Sequence, residues 1–162
     1  YKCRNRPNWY RVPLVEPDQA FVFKRAHSHP RVLLNDAGTY TTDTAYGLRL
    51  KEGFTARGFC FSFYTSLTML FSEMNGRFYG GGVLELSPNE FRSLALIYHE
   101  PSDQEFEAFL HAHQVADGNI DKILDYGDRW LITEGHLTAD ELTEIRKCWK
   151  TIRAHRMRHG GR

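Results

Sequence analysis

The fold is decided by residues 62–94, SFYTSLTMLFSEMNGRFYGGGVLELSPNEFRSL, where a helical pattern, three glycines and an apolar strand pattern follow one another. Glycine adopts positive φ readily and lets a ligand or a second backbone approach closely. The run Gly80 to Gly82 therefore indicates either a shaped loop or a flexible connector, and local chemistry leaves both open. Arg77 and Tyr79 stand directly before the run, where their side chains could contact a ligand.

The first part of this stretch has helical periodicity. Its apolar residues recur three and four positions apart, at Phe63, Leu67, Leu70, Phe71 and Met74. This spacing predicts an amphipathic helix over 62–75. Ser62 is the expected N-cap, and Gly76 is a natural terminator just past the end.

The second part predicts a strand and then a new helix. Residues 83–86, VLEL, follow the glycines as a short apolar run. Ser87 then offers an N-cap, Pro88 occupies the first helical position, and Glu90 completes a capping box.

The chain before this stretch, up to about residue 60, reads as strands and loops. Its short runs of β-branched and aromatic residues are 9–12, 20–24, 31–34 and 45–50. Prolines, glycines and an Asn-Asp pair separate the runs. This pattern predicts a small, mostly antiparallel sheet, and with the helices it predicts an α+β fold.

The chain after Pro101 reads as helix throughout, over 102–116, 119–133 and 138–158. The last segment begins with the capping-box sequence TADE and carries an apolar stripe at Leu142, Ile145, Trp149 and Ile152. Composition and charge change near Pro101. We therefore predict two parts, an α+β domain at 1–100 and a helical extension at 101–162.

Bulk composition indicates an ordinary globular chain. The 162 residues are 41% apolar and 25% charged, with a net charge of +1. There is no membrane-spanning apolar run and no signal peptide, and the three cysteines are odd in number and far apart. Reduced thiols and a cytoplasmic location are the expectation. The chain begins at Tyr1 without methionine, so we expect it to be a piece of a longer polypeptide.

The small net charge conceals three segregated regions. Up to residue 31 the basic residues are Lys2, Arg4, Arg6, Arg11, Lys24, Arg25 and Arg31, against two acids. Acidic residues dominate 101–145, and the residues from 146 onwards contain no acid. Basic ends are compatible with a polyanionic partner, whereas solvated helix faces and a disordered tail are the structural alternative.

No catalytic or metal constellation stands out. The pairs His27/His29, His111/His113 and His155/His159 have no evident third and fourth ligand, which zinc would need. There is no nucleophile elbow, no phosphate-binding lysine motif and no dinucleotide fingerprint. We predict no catalytic residue, no metal and no cofactor in this chain, and we expect surface or partly buried polar histidines.

The stretch 62–94 resembles the C-terminal region of amino-group DNA methyltransferases, the adenine-specific modification enzymes of restriction–modification systems. The matching positions are Ser66, Leu67, Thr68, Glu73, Gly76, Arg77, Tyr79, Gly80, Gly81, Gly82, Val83, Leu84, Leu86, Pro88 and Glu90. The opening YKCRNRPNWYRVP also looks like the start of that region, and Pro30, Arg31 and Asn35 fit more loosely. The resemblance covers roughly residues 1–100 and fades beyond Pro101.

The resemblance implies a DNA target-recognition region, with catalysis located elsewhere in a parent enzyme. Enzymes of this kind carry a motif of two adjacent prolines before an aromatic residue and a glycine-rich loop for S-adenosylmethionine. This chain has neither, since it contains no Pro-Pro pair. It should be inactive alone. The implied partners are duplex DNA, an upstream methyltransferase domain and either a restriction subunit or a second copy, near the nucleoid and not at a membrane.

Within the resemblance, two kinds of side-chain contact, to phosphates and to bases, suggest which residues bind DNA. Arginine and lysine contact phosphates, whereas planar arginine and amide groups read bases. The candidates are Lys2, Arg4, Asn5, Arg6, Arg11, Lys24, Arg25, Arg31, Asn35, Arg77 and Tyr79. Trp9 and Tyr10 either stack on bases or belong to the core, which we favour. For the glycine run we favour a tight crossover between helix and strand over direct DNA contact.

A second function from the sequence is a protein-interaction or dimerisation module of a restriction–modification complex. It is motivated by the charge-segregated helical tail and the apolar stripe of its last helix.

Overall fold

The structure, a computed structural model, describes residues 4–6, 8, 10 and 16–159. It has the predicted α+β architecture, in which short antiparallel strands pack with helices and a helical segment ends the chain. The strands lie in two three-stranded antiparallel sheets, where the sequence predicted one. The predicted strand at 9–12 falls largely outside the described residues.

The first sheet confirms three predicted strands. These are β1 (Ala20–Phe23), β3 (Val32–Leu34) and β4 (Ala45–Leu48), with β1 in the centre. Val22 of β1 lies opposite Val32 and Tyr46 on its two neighbours. Alternate residues of a strand face opposite sides, so Ala20 and Val22 turn together into the core, where they are buried.

The glycine run joins two strands of the second sheet. The strands of this sheet are β2 (Arg25–Ala26), β6 (Val83–Glu85) and β5 (Arg77–Tyr79), in that order. A tight turn at 80–82 joins β5 to β6, with φ of +78° at Gly81 and +71° at Gly82. The glycines therefore turn a β-hairpin, and the predicted crossover between helix and strand is wrong, because Arg77–Tyr79 already pair as a strand.

The predicted helix at 62–75 is two helices. They are α1 (Ala56–Phe63) and α2 (Ser66–Asn75), capped by Thr55 and Thr65. Ser62 lies inside α1, where its Oγ donates to the carbonyl of Gly58 at 2.7 Å, so its prediction as N-cap is wrong. The apolar spacing runs through both helices and hides the break, which the Thr65 cap creates.

The remaining helices begin within one residue of their predicted starts. They are α3 (Pro88–Arg92), α4 (Asp103–Ala116), α5 (Ile120–Thr133) and α6 (Ala139–His159). The N–H groups of Ser87, Ser102 and Thr138 each donate to the glutamate three positions on, at 2.7–2.8 Å. Among the described helices, none is both long and apolar enough to cross a membrane.

One buried cluster crosses Pro101. Phe61 of α1 lies 5.4 Å, between ring centroids, from Phe109 of α4 and 5.8 Å from Trp130 of α5. Leu142 and Trp149, two of the predicted apolar residues of the last helix, are buried in the same cluster, and α6 packs mainly against α2. The stripe that motivated a protein-interaction module thus has a partner inside the chain.

Helix α5 meets the junction between α1 and α2 at Gly127 and Asp128. A Cβ on Gly127 would lie 1.8 Å from the carbonyl oxygen of Tyr64, so only glycine allows this approach. The two Asp128 carboxylate oxygens accept from the N–H and Oγ of Ser66 at 2.7 and 2.5 Å. Burial raises the pKa of Asp128, and the Ser66 hydrogen bonds oppose that rise. A carboxylate here also complements the N-terminal dipole of α2.

Candidate nucleic-acid interface

Two predicted arginines lie in one row across the second sheet. Arg25 of β2 and Arg77 of β5 both pair with Glu85 of the central strand β6. Directly paired residues project from the same face, and Tyr79 joins them because it lies two residues after Arg77. We call this face, formed by Arg25, Arg77, Tyr79 and Glu85, the hairpin surface.

Carboxylates hold both arginines by the Nε atom. Arg25 Nε lies 2.6 Å from Glu85, and Arg77 Nε lies 2.5 Å from Glu90 of α3. The arginine side chains are 72% and 64% exposed, whereas the glutamates are 19% and 16% exposed. The positive groups therefore form the outermost layer, and the Nη atoms take no part in these two bonds.

Tyr79 contributes to the raised pKa values of both arginines. Glu85 is the main cause of a raised pKa for Arg25, and Glu90 of a raised pKa for Arg77. Tyr79 adds a smaller contribution to each, through a hydrogen bond in the case of Arg77. The residue is 47% exposed, so it is open to contact from solvent.

Two more predicted cations lie over aromatic rings. Lys24 Nζ lies 4.8 Å from the ring centroid of Tyr46, and the guanidinium carbon of Arg31 lies 5.0 Å from that of Phe23. Lys24 joins β1 to β2 and precedes Arg25 in the chain. Arg31 precedes β3, at the edge of the other sheet.

Asn35 has an internal role in the loop after β3. Its Nδ2 donates to the carbonyls of Asp18 and Thr39 at 2.8 and 2.9 Å. Its Oδ1 accepts from the N–H and Oγ1 of Thr39, each at 2.9 Å. These four bonds fill the amide's ordinary capacity, so in this conformation it has no donor pair for a base edge.

The N-terminal candidates are described only in part. Lys2 and Arg11 lie outside the described residues, as does Trp9. Arg4 and Asn5 are exposed, and Arg6 is partly buried. Tyr10 is also exposed, so its predicted place in the core is wrong.

The sequence reading missed the carboxylates that position the arginines. Glu85 and Glu90 are 60 and 13 residues from their arginine partners. Their role depends on the sheet register and on where α3 packs, which local patterns do not give. The sequence marked Glu90 in the capping box and in the resemblance motif, but neither pattern indicates its contact with Arg77.

A buried ion pair lies behind the hairpin. The guanidinium of Arg156, on α6, donates from Nε and Nη2 to Glu73 of α2 at 2.8 and 2.7 Å. Its Nη1 donates to the carbonyl of His27 at 2.8 Å and also to that of Gly82. Arg156 therefore joins α2, α6, the residue after β2 and the hairpin turn. The sequence marked Glu73 as part of the motif but gave no role for Arg156.

Two histidines are partly buried, as expected. Burial lowers the pKa of His113 to about 4, and burial together with the nearby Arg31 and Arg153 lowers that of His29 to about 4. His113 lies between rings, 4.3 Å from Phe109 and 4.6 Å from Tyr64. In the part of the chain that the structure describes, no three His, Cys, Asp or Glu residues are grouped to hold a metal ion.

Comparison with known families identifies the chain. Residues 1–132 match the family described as the C-terminal domain of the Type II methyltransferase M.Eco57I. The chain belongs to this family. Searches of curated proteins and of solved structures gave no significant match.

The match extends the resemblance seen in the sequence. It includes α4 and α5, beyond the limit near residue 100, and leaves α6 outside. The M.Eco57I C-terminal family thus covers the hairpin surface completely. It also covers Glu73, whereas the partner of Glu73, Arg156, lies outside the matched residues.

Proposed function

We propose that this chain is the DNA-binding, target-recognition region of a Type II methyltransferase and that it binds duplex DNA through the hairpin surface. The observation that carries the proposal is the cross-strand row in which Glu85 lies between Arg25 and Arg77. Membership of a methyltransferase C-terminal family supplies the context.

The geometry of the row suits nucleic acid. A guanidinium held at Nε is oriented before binding, and its planar Nη edge suits the oxygens of a phosphate or the O6 and N7 atoms of guanine. Because the paired carboxylates are largely covered, DNA would meet the arginines first. Tyr79 offers an aromatic face beside Arg77, two residues further along β5, and Lys24 adds charge at the edge.

The same proposal covers the chemistry of the parent enzyme. We propose that a catalytic domain upstream of this chain methylates an adenine amino group with S-adenosylmethionine, in the cytoplasm. This chain would hold the duplex while the base is extruded, which costs a few kcal/mol. It should not methylate DNA alone, since it has no Pro-Pro motif. An assay of the parent enzyme with labelled S-adenosylmethionine, on duplexes with and without adenine, tests this part.

Fluorescence anisotropy with a labelled duplex oligonucleotide across a salt series tests the DNA-binding function. We expect the chain to bind at low salt, with an affinity that falls steeply as salt rises, because arginines displace counterions. The double variant Arg25→Ala/Arg77→Ala should bind at least about tenfold more weakly, the loss of one or two charge-assisted contacts.

The matched control is Arg49→Ala/Arg57→Ala. Both control arginines are ion-paired, with Asp18 at 2.8 Å and Asp103 at 2.9 Å, and they lie on other elements. The control should bind as the unchanged chain does. Absence of binding at low salt contradicts DNA binding, and equal losses in the two variants contradict the assignment to the hairpin surface.

A further inference from the structure

The second half of α6 carries charge of one sign only. After Ile145 the charged residues of the helix are Arg146, Lys147, Lys150, Arg153, Arg156 and Arg158. The acids of α6, Asp140, Glu141 and Glu144, all lie in its first two turns. This distribution matches the helix dipole, but a dipole effect is confined to the last turn, whereas the basic run covers more than three turns.

Three of these basic residues are used inside the fold. Arg153 Nε donates to the carbonyl of Ser28 at 2.8 Å, and Arg156 takes part in the buried pair with Glu73. Arg146 bridges to α5, where its Nη2 donates to the carbonyl of Asp121 at 2.6 Å. These contacts fix one side of α6 to the rest of the molecule.

The other three, Lys147, Lys150 and Arg158, form an outward row that we call the α6 stripe. They lie with Thr151 and Ala154 on one open face of the helix. Lys147 pairs with Glu144 at 3.3 Å and Lys150 with Asp121 at 2.8 Å, through side chains that remain largely exposed. Exposed pairs of this kind contribute at most about 1 kcal/mol, so a phosphate can compete for either lysine.

The α6 stripe ends beside the hairpin. Arg156 donates to the Gly82 carbonyl, and the Cα of Met157 lies 3.4 Å from where a Gly82 Cβ would be. Arg158 follows these two residues directly. From Lys147 to Arg158 the helix rises about 16 Å, the length of about five successive phosphates on one strand of B-DNA.

The buried pair explains how the two surfaces keep a fixed relation. Burying two charges is costly, and the best-attested use of such a pair is to fix the register of elements. Here the pair joins α6 to α2, and the same guanidinium holds the turn of the hairpin that carries Arg77 and Tyr79.

We propose that the α6 stripe is a second DNA-contacting surface, which binds the phosphate backbone of the duplex engaged by the hairpin surface. The proposal rests on the DNA-binding function and adds a second element to it. Lysine acts as a hydrated point charge, so these contacts strengthen binding on every sequence and leave base readout to the arginines of the hairpin surface.

The test compares salt dependence between variants that lose equal charge. Lys147→Ala/Lys150→Ala removes two charges from the stripe, and Lys122→Ala/Arg129→Ala removes two from the exposed side of α5. Anisotropy titrations with two duplexes of unrelated sequence give the slope of log affinity against log salt. The slope is negative, and the stripe variant should make it less steep by about two, since each phosphate contact contributes about 0.9. The control should keep the slope of the unchanged chain.

The outcomes separate this inference from the function on which it rests. Equal slopes for the unchanged chain and the stripe variant overturn the role of α6 and leave the hairpin surface standing. A less steep slope in the α5 control as well also overturns it, because the effect is then one of net charge. Failure of the unchanged chain to bind either duplex overturns the DNA-binding function, and the α6 proposal with it. Thermal melts confirm that the variants are folded.

Discussion

Glu73 of α2 and Arg156 of α6 form an ion pair in which both side chains are at most 1% exposed. The two residues are 83 positions apart, and their contact joins α6 to α2. The same Arg156 side chain also donates to the Gly82 carbonyl in the hairpin turn. Breaking a pair with this burial should cost more folding stability than breaking the other described ion pairs, most of which have at least one partner exposed to solvent.

Glu73→Gln should destabilise the fold by about 3–5 kcal/mol, because it leaves the buried Arg156 guanidinium without a counter-charge. Urea denaturation measures this change in the free energy of unfolding. Glu85→Gln, which breaks the exposed pair with Arg25, is the matched control and should cost at most about 1 kcal/mol. The double variant Glu73→Leu/Arg156→Met, with both charges removed, should be less destabilised than Glu73→Gln. Equal losses for the two Glu→Gln variants would contradict this account of the pair.

The glycine turn gives a prediction about conformation. Gly82→Ala should cost about 1–2 kcal/mol, because φ at this position is +71° and a Cβ is disfavoured there. Gly80→Ala is the control, since Gly80 lacks a positive φ and a Cβ on it would meet nothing within 4 Å. It should change stability by less than about 1 kcal/mol, measured by thermal unfolding. If both variants lose the same stability, the requirement for glycine at position 82 is refuted.

The sequence predicted those parts of the fold that depend on neighbouring residues. Capping residues placed the starts of α3 and α6, since a cap acts within three positions of itself. The same local reading missed the break between α1 and α2, because apolar spacing continues through it. It also missed β5, whose three residues are all exposed and too few to give a strand pattern.

The candidate site was predicted as residues but not as an arrangement. Arg25 was nominated apart from Arg77 and Tyr79, and only the register of the second sheet brings the three together. Asn35 was nominated for its chemistry, but its amide is engaged within its own loop. Arg156 was counted as part of a basic tail, because the burial of a charged residue depends on a partner far away in sequence.

Two partly buried histidines give a prediction about pH. The pKa values of His29 and His113 lie near 4 in the folded chain, against an ordinary value of 6.5. Between these limits the unfolded chain binds more protons, so the free energy of unfolding should rise with pH across the window and fall on acidification. Each histidine contributes at most about 1.4 kcal/mol per pH unit, and less because both rings keep some contact with solvent.

Variants at two neighbouring histidines of α4 isolate this effect. His113→Phe removes a partly buried imidazole, whereas His111→Phe removes an exposed one. Urea denaturation between pH 4 and 6.5 should give a shallower pH dependence for His113→Phe and an unchanged one for His111→Phe. Carboxylates with lowered pKa values, such as Glu105 and Asp121, also contribute stability that the chain loses on acidification. That loss should be the same in both variants. An unchanged slope in His113→Phe would show that the imidazole between Phe109 and Tyr64 is not linked to folding through its proton.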